Sequence, residues 1–417
     1  MISIKKNPFL KSILLLTSGS FLAQATTALS TPVLTRLFSP EIMGQYTYII
    51  SVAAVFMAVI NLRYDVCIVT EKNEINIFPL IKLCLIIGLG VTIIGSLIFC
   101  AYFFVSSKAV WISFYIFIIL LSFSVINVFT AYNNRCKEYK IISSVYIFRT
   151  SVQNILGILG GLVFSSVHML AVPYALGQFA GITRQVKPLK AHLREIMRIP
   201  WEEVKRVAIL HKQQPLFSAP ALLANSLSYS LITIIMESLY GLQEVGYYSV
   251  SVRLLGIPLA LIGTNVSKVY VEQASKEYNA EGCYRKTFNK TFLLLLIIAI
   301  PMVLCMLLFS IPLCALVLGN EWSAAGQFIM VLAPMFGVRF ITSALSPSFV
   351  ILGKQKIELW LQCLFLISCL ICYSLSLYYD WNVFEFLKLL SLLYTLSYSV
   401  YLIFIFLFSK KQKTESI

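Results

Sequence analysis

Residues Leu34–Tyr48 read "LTRLFSPEIMGQYTY", and Met236–Val250 read "MESLYGLQEVGYYSV". A shift of 202 positions aligns Leu37 with Leu239, Phe38 with Tyr240, Glu41 with Gln243, Gly44 with Gly246 and Tyr46 with Tyr248. Each stretch is a short polar interruption between long apolar runs. A chain that repeats such a turn after half its length is built from two copies of one arrangement.

The apolar runs set the class. The 417 residues are 59% hydrophobic and 12% charged, with a mean hydropathy of +0.84, which no ordinary soluble domain shows. A hydrocarbon core about 30 Å thick takes roughly 20 apolar residues in helix. Twelve segments qualify, at 13–35, 42–62, 79–104, 109–131, 141–164, 167–186, 214–239, 246–270, 289–318, 324–350, 357–379 and 383–408. β-Barrel spans would be short and alternating, which these are not. The sequence therefore predicts an all-α integral membrane protein of about twelve transmembrane helices.

The net charge of +15 invites a nucleic-acid reading, but its distribution argues for topology. With the N-terminus in the cytoplasm and the spans alternating, 26 of the 33 basic residues fall inside, against only Arg36 and Lys108 outside. The other five, Arg63, Arg149, Arg253, Arg339 and Lys388, lie within or beside spans. That is the positive-inside bias; it places both termini in the cytoplasm and excludes a nucleic-acid partner. Lys5, Lys6, Lys11 and the "AQA" at Ala23–Ala25 resemble a secretory signal with its cleavage site. The apolar segment continues to Leu37 and the repeat requires it, so an uncleaved first span is expected.

All ten cysteines fall in spans or inner loops, so no disulfide framework is implied. Cys369 and Cys372 sit in an apolar helix without a nearby histidine and read as core residues rather than metal ligands. Only two aspartates occur, Asp65 and Asp380, and no Walker A sequence. Outer loops are short, which disfavours a polymerase or ligase acting outside; no catalytic residue, metal or cofactor is expected, and the chain reads as a transporter rather than an enzyme.

The longest interruption, around 184–214, carries eight basic residues interspersed with Leu193, Ile196, Met197, Trp201 and Val204. It reads either as an amphipathic helix on an anionic leaflet or as a solvated basic linker. Either way it divides the chain into a six-helix bundle at 1–186, a basic cytoplasmic linker at 187–213 and a second six-helix bundle at 214–417. A displacement of six spans restores side and direction, so the repeats are parallel, related by an axis along the membrane normal. In the first span Gln24, Thr27, Thr31 and Thr35 share a face, as do Ser226, Ser230, Thr233 and Glu237 in the seventh. Such stripes line a cavity or join helices through small polar groups.

A charge at the bilayer centre costs roughly 2.5–3.5 kcal/mol, so embedded charges face protein or water. Arg149 shares a face with Tyr146 and Gln153, and Arg339 with Ser343 and Ser346. Arg253 lies below Ser249, and Arg63 ends the second span. Guanidinium groups grip phosphate or carboxylate in a bidentate fork, so the substrate-binding candidates are Arg63, Arg149, Arg253, Arg339, Gln24 and Gln153, and the cargo is expected to be an anion. Snorkelling of Arg63 and pairing of Arg253 with Glu237 are the milder readings; Lys388 snorkels outward. Asp65 and Glu237 are the embedded acids and the candidates for coupling a proton or cation, or for structural ion pairs. Standing two residues apart, Arg63 and Asp65 would not share a face of a continuous helix.

"TPVLTRLFSPEIMGQYTYIIS", "NLRYDVCIV", "EVGYYSVSVRLLGIPLALIGTNVSKVYVEQA" and "GNEWSAAGQFIMVLAPMFGVRFITSALSP" with the following "ILGKQK" resemble the polysaccharide-biosynthesis branch of the multidrug/oligosaccharidyl-lipid/polysaccharide (MOP) flippase superfamily. These are the O-antigen and capsule repeat-unit flippases. The resemblance implies a MATE-like fold of two pseudo-symmetric bundles around a central cavity, in the bacterial cytoplasmic membrane. It implies transfer of undecaprenyl-pyrophosphate-linked oligosaccharide from the inner to the outer leaflet by alternating access. Arg63 and Asp65 match a span-two "L-R-Y-acid" pattern in which glutamate is more usual, Arg253 the "V-x-R-L/V-L" of span eight, and Arg339 the "R-F" of span ten. Arg149 matches an embedded position of span five. Expected partners are the lipid-linked glycan, membrane lipids, a polysaccharide polymerase and a chain-length regulator. The alternative is a cation-coupled drug or small-molecule exporter of the same superfamily; a non-transporting scaffold in glycan assembly is a further rival.

Overall fold

The computed structural model describes residues 8–106, 109–352 and 354–410, with side chains from residue 19 onward except that of Gln355. Lys5, Lys6, Lys108 and the last basic residues of the tail, named above for the charge bias, lie outside the described residues, as does the side chain of Lys11. Among the described residues there is no strand. Eight helices among the described residues are long and apolar enough to cross a membrane, from Glu74–Val105 to Val383–Phe408. Of the other four segments read from the sequence, 42–62 and 167–186 are helices interrupted by turns, 141–164 is a more polar helix, and 13–35 lies in the 30-residue helix Pro8–Leu37, part of whose side chains are outside the described residues.

The first compact unit holds residues up to Phe38 and from Gln45 to Ser230. Its helices are α1 (Pro8–Leu37), most of α2 (Pro40–Met57), α3 (Tyr64–Thr70), α4 (Ile77–Val105), α5 (Ile112–Arg135), α6 (Tyr139–Val163), α7 (His168–Gly177), α8 (Ile182–Val186), α9 (Leu193–Arg198), α10 (Trp201–Leu210) and the first half of α11 (Ala219–Tyr240). α1 lies along α6, and α4 along α5. The threonine stripe of α1 belongs to this packing. Thr31 and Thr35 are buried, Thr27 and Thr31 hydroxyls donate to the carbonyls of Ala23 and Thr27, and Asn154 of α6 donates to Thr27 at 3.4 Å. Of the two readings of that stripe, the threonines follow helix–helix contact.

The basic segment at 187–213 packs within this first unit. Leu189, Ile196, Val204 and Val207 are buried in one cluster with Tyr64, Cys67 and Ile68 of α3 and with Leu80, Ile81 and Cys84 of α4. Each such aliphatic burial contributes about 1.5–3 kcal/mol. Polar contacts fix the docking. Tyr64 Oη donates to the Ala208 carbonyl at 3.0 Å, Lys82 Nζ to those of Met197 and Ile199 at 3.0 and 2.7 Å, and Arg206 to Asn76 Oδ1 at 2.9 Å. His211 Nε2 donates to the Glu71 carboxylate at 2.7 Å. The amphipathic pattern was legible, but its apolar face meets protein, while Met197, Trp201, Ile209 and Leu210 stay exposed.

The second unit holds Ser39–Gly44 and Leu231–Ile417; the compact units thus part inside α2 and α11, where the sequence places the division at 187–213. Its further helices are α12 (Leu242–Pro258), α13 (Thr264–Glu281), α14 (Arg285–Leu318), α15 (Ser323–Leu345), α16 (Ser348–Ile351), α17 (Gln355–Tyr379) and α18 (Val383–Phe408). The 34-residue α14 is about 51 Å long at 1.5 Å per residue, so it outreaches the hydrocarbon. It presents Leu293, Ile297, Ile300, Leu304 and Leu308 outward at helical spacing. α15 is the buried centre of the unit, taking hydrogen bonds on its carbonyls from Ser251 of α12 (to Ala325, 2.8 Å) and Ser310 of α14 (to Gly326, 2.8 Å).

The repeated turns meet in this unit. Pro40 opens α2 at the position where proline loses nothing, and Ser39 Oγ accepts from the Ile42 amide at 3.4 Å. A Cβ on Gly44 would stand 1.8 Å from the Leu242 carbonyl oxygen, and one on Gly246 would stand 1.9 Å from that of Pro40. Pro40 and Leu242 are themselves 202 positions apart. The two contacts are therefore one contact made twice, backbone against backbone, and each needs hydrogen in place of a side chain.

Gly44→Ala and Gly246→Ala are each expected to lower the thermal unfolding temperature of the purified protein in detergent, by the roughly 1–3 kcal/mol typical of overpacking. The double variant should cost less than the sum, because one displaced turn relieves the other; strict additivity would argue against the paired contact. The Glu71 carboxyl accepts from the Asn73 amide at 2.8 Å as well as from His211, and these bonds, the amide first, hold it below the usual glutamate range. A depressed folded value contributes stability that is complete above the unfolded value of about 4.3 and is lost as pH falls through the folded one. The stability gap between wild type and Glu71→Gln should accordingly be constant above about pH 5 and close below about pH 4; a gap unchanged down to about pH 3 would contradict the assignment.

Candidate functional site

The second sequence-predicted span does not run through. α2 stops at Met57, and the chain turns through residues 58–63 before α3 begins at Tyr64. Leu62 and Arg63 have φ of 46° and 65°, the left-handed region that L-residues enter at a cost of about 1–2 kcal/mol each. What holds the break is Asn61, 1% exposed. Its Nδ2 donates to the Cys84 carbonyl of α4 at 2.9 Å and to Ser124 Oγ of α5 at 3.2 Å. Its Oδ1 accepts from Asn127 of α5 at 3.0 Å, and its carbonyl accepts from the Tyr64 amide at 3.1 Å. A side chain at Gly88 would collide with both Ser124 and Asn61.

The break brings together two residues that a continuous helix would separate. Arg63, at the cap of α3, and Asp65, in its first turn, line one cavity of about 480 Å³. Arg63 attracts the Asp65 carboxylate. The rest of the polar lining is Asn61, Asn127, Asn225, Ser226 and Tyr229, with Phe123, Met57, Ala58, Ile60 and Leu222 as its apolar part. Ser226 Oγ donates to the Ala54 carbonyl at 3.0 Å, joining α11 to α2 inside the unit.

The other expected site residues lie elsewhere. Gln24 is half-buried on α1. Arg149 is half-buried on α6, beside Tyr146 and Tyr174, and its Nε is buried with no hydrogen-bond partner among the described residues. Gln153, one turn on, donates to the Tyr174 carbonyl of α7 at 3.0 Å. In the second unit Glu237 and Arg253 are half-buried on α11 and α12. Arg339, half-buried on α15, stacks its guanidinium 5.1 Å above the Phe336 ring. The Ser343 and Ser346 hydroxyls on its face turn back to the carbonyls of Phe340 and Ser343.

Asn61, Asn127, Asn225 and Tyr229 were not singled out from the sequence. The available signal was a lone amide inside each of three apolar runs, since an unpaired buried amide costs about 1–3 kcal/mol. Glu277, Glu281 and Cys283 place ligand atoms within 4.8 Å of one another. Lys286 Nζ donates to Glu281 and the Thr287 amide to Glu277, which marks the group as the stabilised turn between α13 and α14.

A bundle of long apolar helices with a polar, charge-bearing cavity inside it defines a multi-pass membrane protein, and its fold is the one found in solved transporters of the MOP superfamily. The chain belongs to the polysaccharide biosynthesis protein family, whose profile matches residues 33–327. Among solved structures it is similar to the lipid II flippase MurJ in an inward closed conformation, at TM-score 0.69 and 14% identity over 94% of this chain and 87% of that one. It is similar to an inward-facing multidrug resistance MATE family transporter of the MOP superfamily (TM-score 0.65, 13% identity, 94% and 96% covered). A third likeness is to a MOP superfamily transporter from Pyrococcus furiosus described by the reverse polarity of its binding pocket (TM-score 0.58, 14% identity, 95% and 94% covered). At these identities the likeness is one of fold. Among curated proteins none matches the chain.

Asn61→Ala removes three side-chain hydrogen bonds at the break and orphans Asn127. It is expected to cost about 1–3 kcal/mol and to raise protease or alkylation access at Cys67 and Cys84, both buried in the wild type. Unchanged thiol labelling would show that the break is held by something else.

Proposed function

We propose that the protein is a flippase that carries undecaprenyl-pyrophosphate-linked oligosaccharide repeat units from the inner to the outer leaflet of the bacterial cytoplasmic membrane, for assembly of a surface polysaccharide such as O-antigen or capsule. The observation that carries this reading is the polar cavity at the α2–α3 break, with Arg63 and Asp65 in its wall, in a chain of the polysaccharide biosynthesis family. A pyrophosphate with attached sugars cannot cross hydrocarbon without replacement of its hydration. Guanidinium groups, amides and hydroxyls supply that replacement while the polyprenyl tail stays in lipid. Arg149 brings a buried Nε in search of an acceptor, which suits a phosphate oxygen.

Transport proceeds by alternating access, driven by a proton or sodium gradient through Asp65 or Glu237. The polymerase and the chain-length regulator act on the delivered repeat unit. Asp65 in the cavity is also the one feature favouring a cation-coupled exporter of drugs or other small molecules. The two readings separate in a strain lacking the gene: the flippase reading expects undelivered lipid-linked repeats to accumulate and surface glycan to vanish, the exporter reading only altered sensitivity to toxic compounds. Arg149→Ala and Arg339→Ala, expressed at wild-type level, should each lower surface glycan at least tenfold, as loss of a charge-assisted bond of about 1.5–3 kcal/mol implies. Full restoration by both variants would remove the arginines from the pathway.

A further inference from the structure

The flippase reading leaves open which part of the cargo meets the α2–α3 cavity, and its chemistry answers differently from a generic cationic site. We infer that this cavity is a saccharide subsite, taking the neutral sugar hydroxyls of the lipid-linked glycan rather than its pyrophosphate; the inference rests on the flippase reading.

Charge is the first ground. Among the described lining residues Arg63 is the one cation and Asp65 the one anion, and the two attract each other. With both ionised the wall carries no net charge, so a pyrophosphate arriving there would meet a carboxylate together with the guanidinium. The second ground is the donor and acceptor set. A sugar hydroxyl both donates and accepts, so a site for several of them needs both kinds of group in alternation. Carboxylate and amide oxygens supply acceptors, while guanidinium and amide N–H groups supply donors. Asp65, Arg63, Asn127 and Asn225 offer that mixture from three different segments. Phosphate needs donors alone.

Shape and rigidity agree. The volume of about 480 Å³ lies within the range of small-molecule sites, roughly 300–1,000 Å³. Phe123 and Tyr229 bring aromatic rings to the lining, the side chains suited to the C–H side of a pyranose. Asn61 and Ser226 point their hydrogen bonds into protein and so fix the wall, leaving recognition to the groups they position. A preorganised wall of this kind loses little ordering entropy on binding.

The sign of one substitution separates the two ligand chemistries. Asp65→Asn keeps the shape, removes the negative charge and leaves Arg63 uncompensated. Wild-type and variant protein in lipid nanodiscs are titrated with two probes: undecaprenyl pyrophosphate, and the undecaprenyl-pyrophosphate glycan extracted from the cells that make this protein. The expected result is that Asp65→Asn weakens the glycan-bearing lipid by at least about fivefold, the scale of one lost hydrogen bond, and leaves the bare pyrophosphate lipid unchanged. Asn225→Ala, from the α11 part of the lining and without a charge change, should show the same selectivity and covers the case in which Asp65→Asn fails to fold. Tighter binding of the bare lipid by Asp65→Asn would place the pyrophosphate in this cavity and overturn the subsite. Equal weakening of both probes, or no change in either, would overturn it too, and all three results leave the flippase reading standing. If the wild type binds neither probe, the flippase reading falls and the subsite falls with it.

Discussion

A helix that ends within an apolar bundle must pass its loose backbone groups to some other partner, and the rest of this structure depends on how that is done after Met57. Leu62 and Arg63 stand in the left-handed region, held locally by backbone bonds from the Leu62 amide to Val59 and from the Val66 amide to Arg63. The wider hold comes from Asn61, whose amide joins α4, α5 and the break in one network. A regular helix through residues 58–63 would give up that network. Arg63 would then sit on one face and Asp65 on another. The cavity, its paired charges and any coupling through Asp65 thus follow from one buried amide.

The other end of α3 is finished in a related way. Arg135, from the last turn of α5, donates to the carbonyls of Ile68 and Glu71 at 3.1 and 2.6 Å and to the Glu74 carboxylate at 2.7 Å. The short helix is thereby capped by side chains from elsewhere in the fold. α10 then covers it, with Tyr64 and His211 fixing the seam. A seven-residue helix has little stability of its own; here it is held at both ends and along one side, which keeps Arg63 and Asp65 in register with α5 and α11. The basic segment that divides the sequence is therefore part of the support of the site.

The repeated turns make a separate point about symmetry. Gly44 and Gly246 touch each other's turn through equivalent atoms, at Leu242 and Pro40. That accounts for why the repeat is clearest at this short stretch and fades along the helices behind it. Backbone-to-backbone contact tolerates only hydrogen at those two positions, whereas lipid-facing and core positions accept many apolar side chains of similar volume. Selection for contact geometry leaves a stronger trace than selection for greasiness.

Hydropathy, charge bias and the 202-residue repeat, all readable along the chain, determined that this is a helical membrane protein with two related halves, because desolvation cost acts on every residue regardless of its neighbours. The embedded arginines were legible for the same reason. Tertiary structure alone decided that the second span breaks, that Arg63 and Asp65 share a cavity, and that the α1 threonines serve packing. It also decided that 187–213 docks on the first unit and that Asn61, Asn127, Asn225 and Tyr229 line that cavity. Each of these depends on partners between about twenty and about 160 positions away, as with Asn61 and Cys84 or Arg63 and Asn225. A local pattern carries the cost of burying a polar group, but only the folded chain shows which group satisfies it.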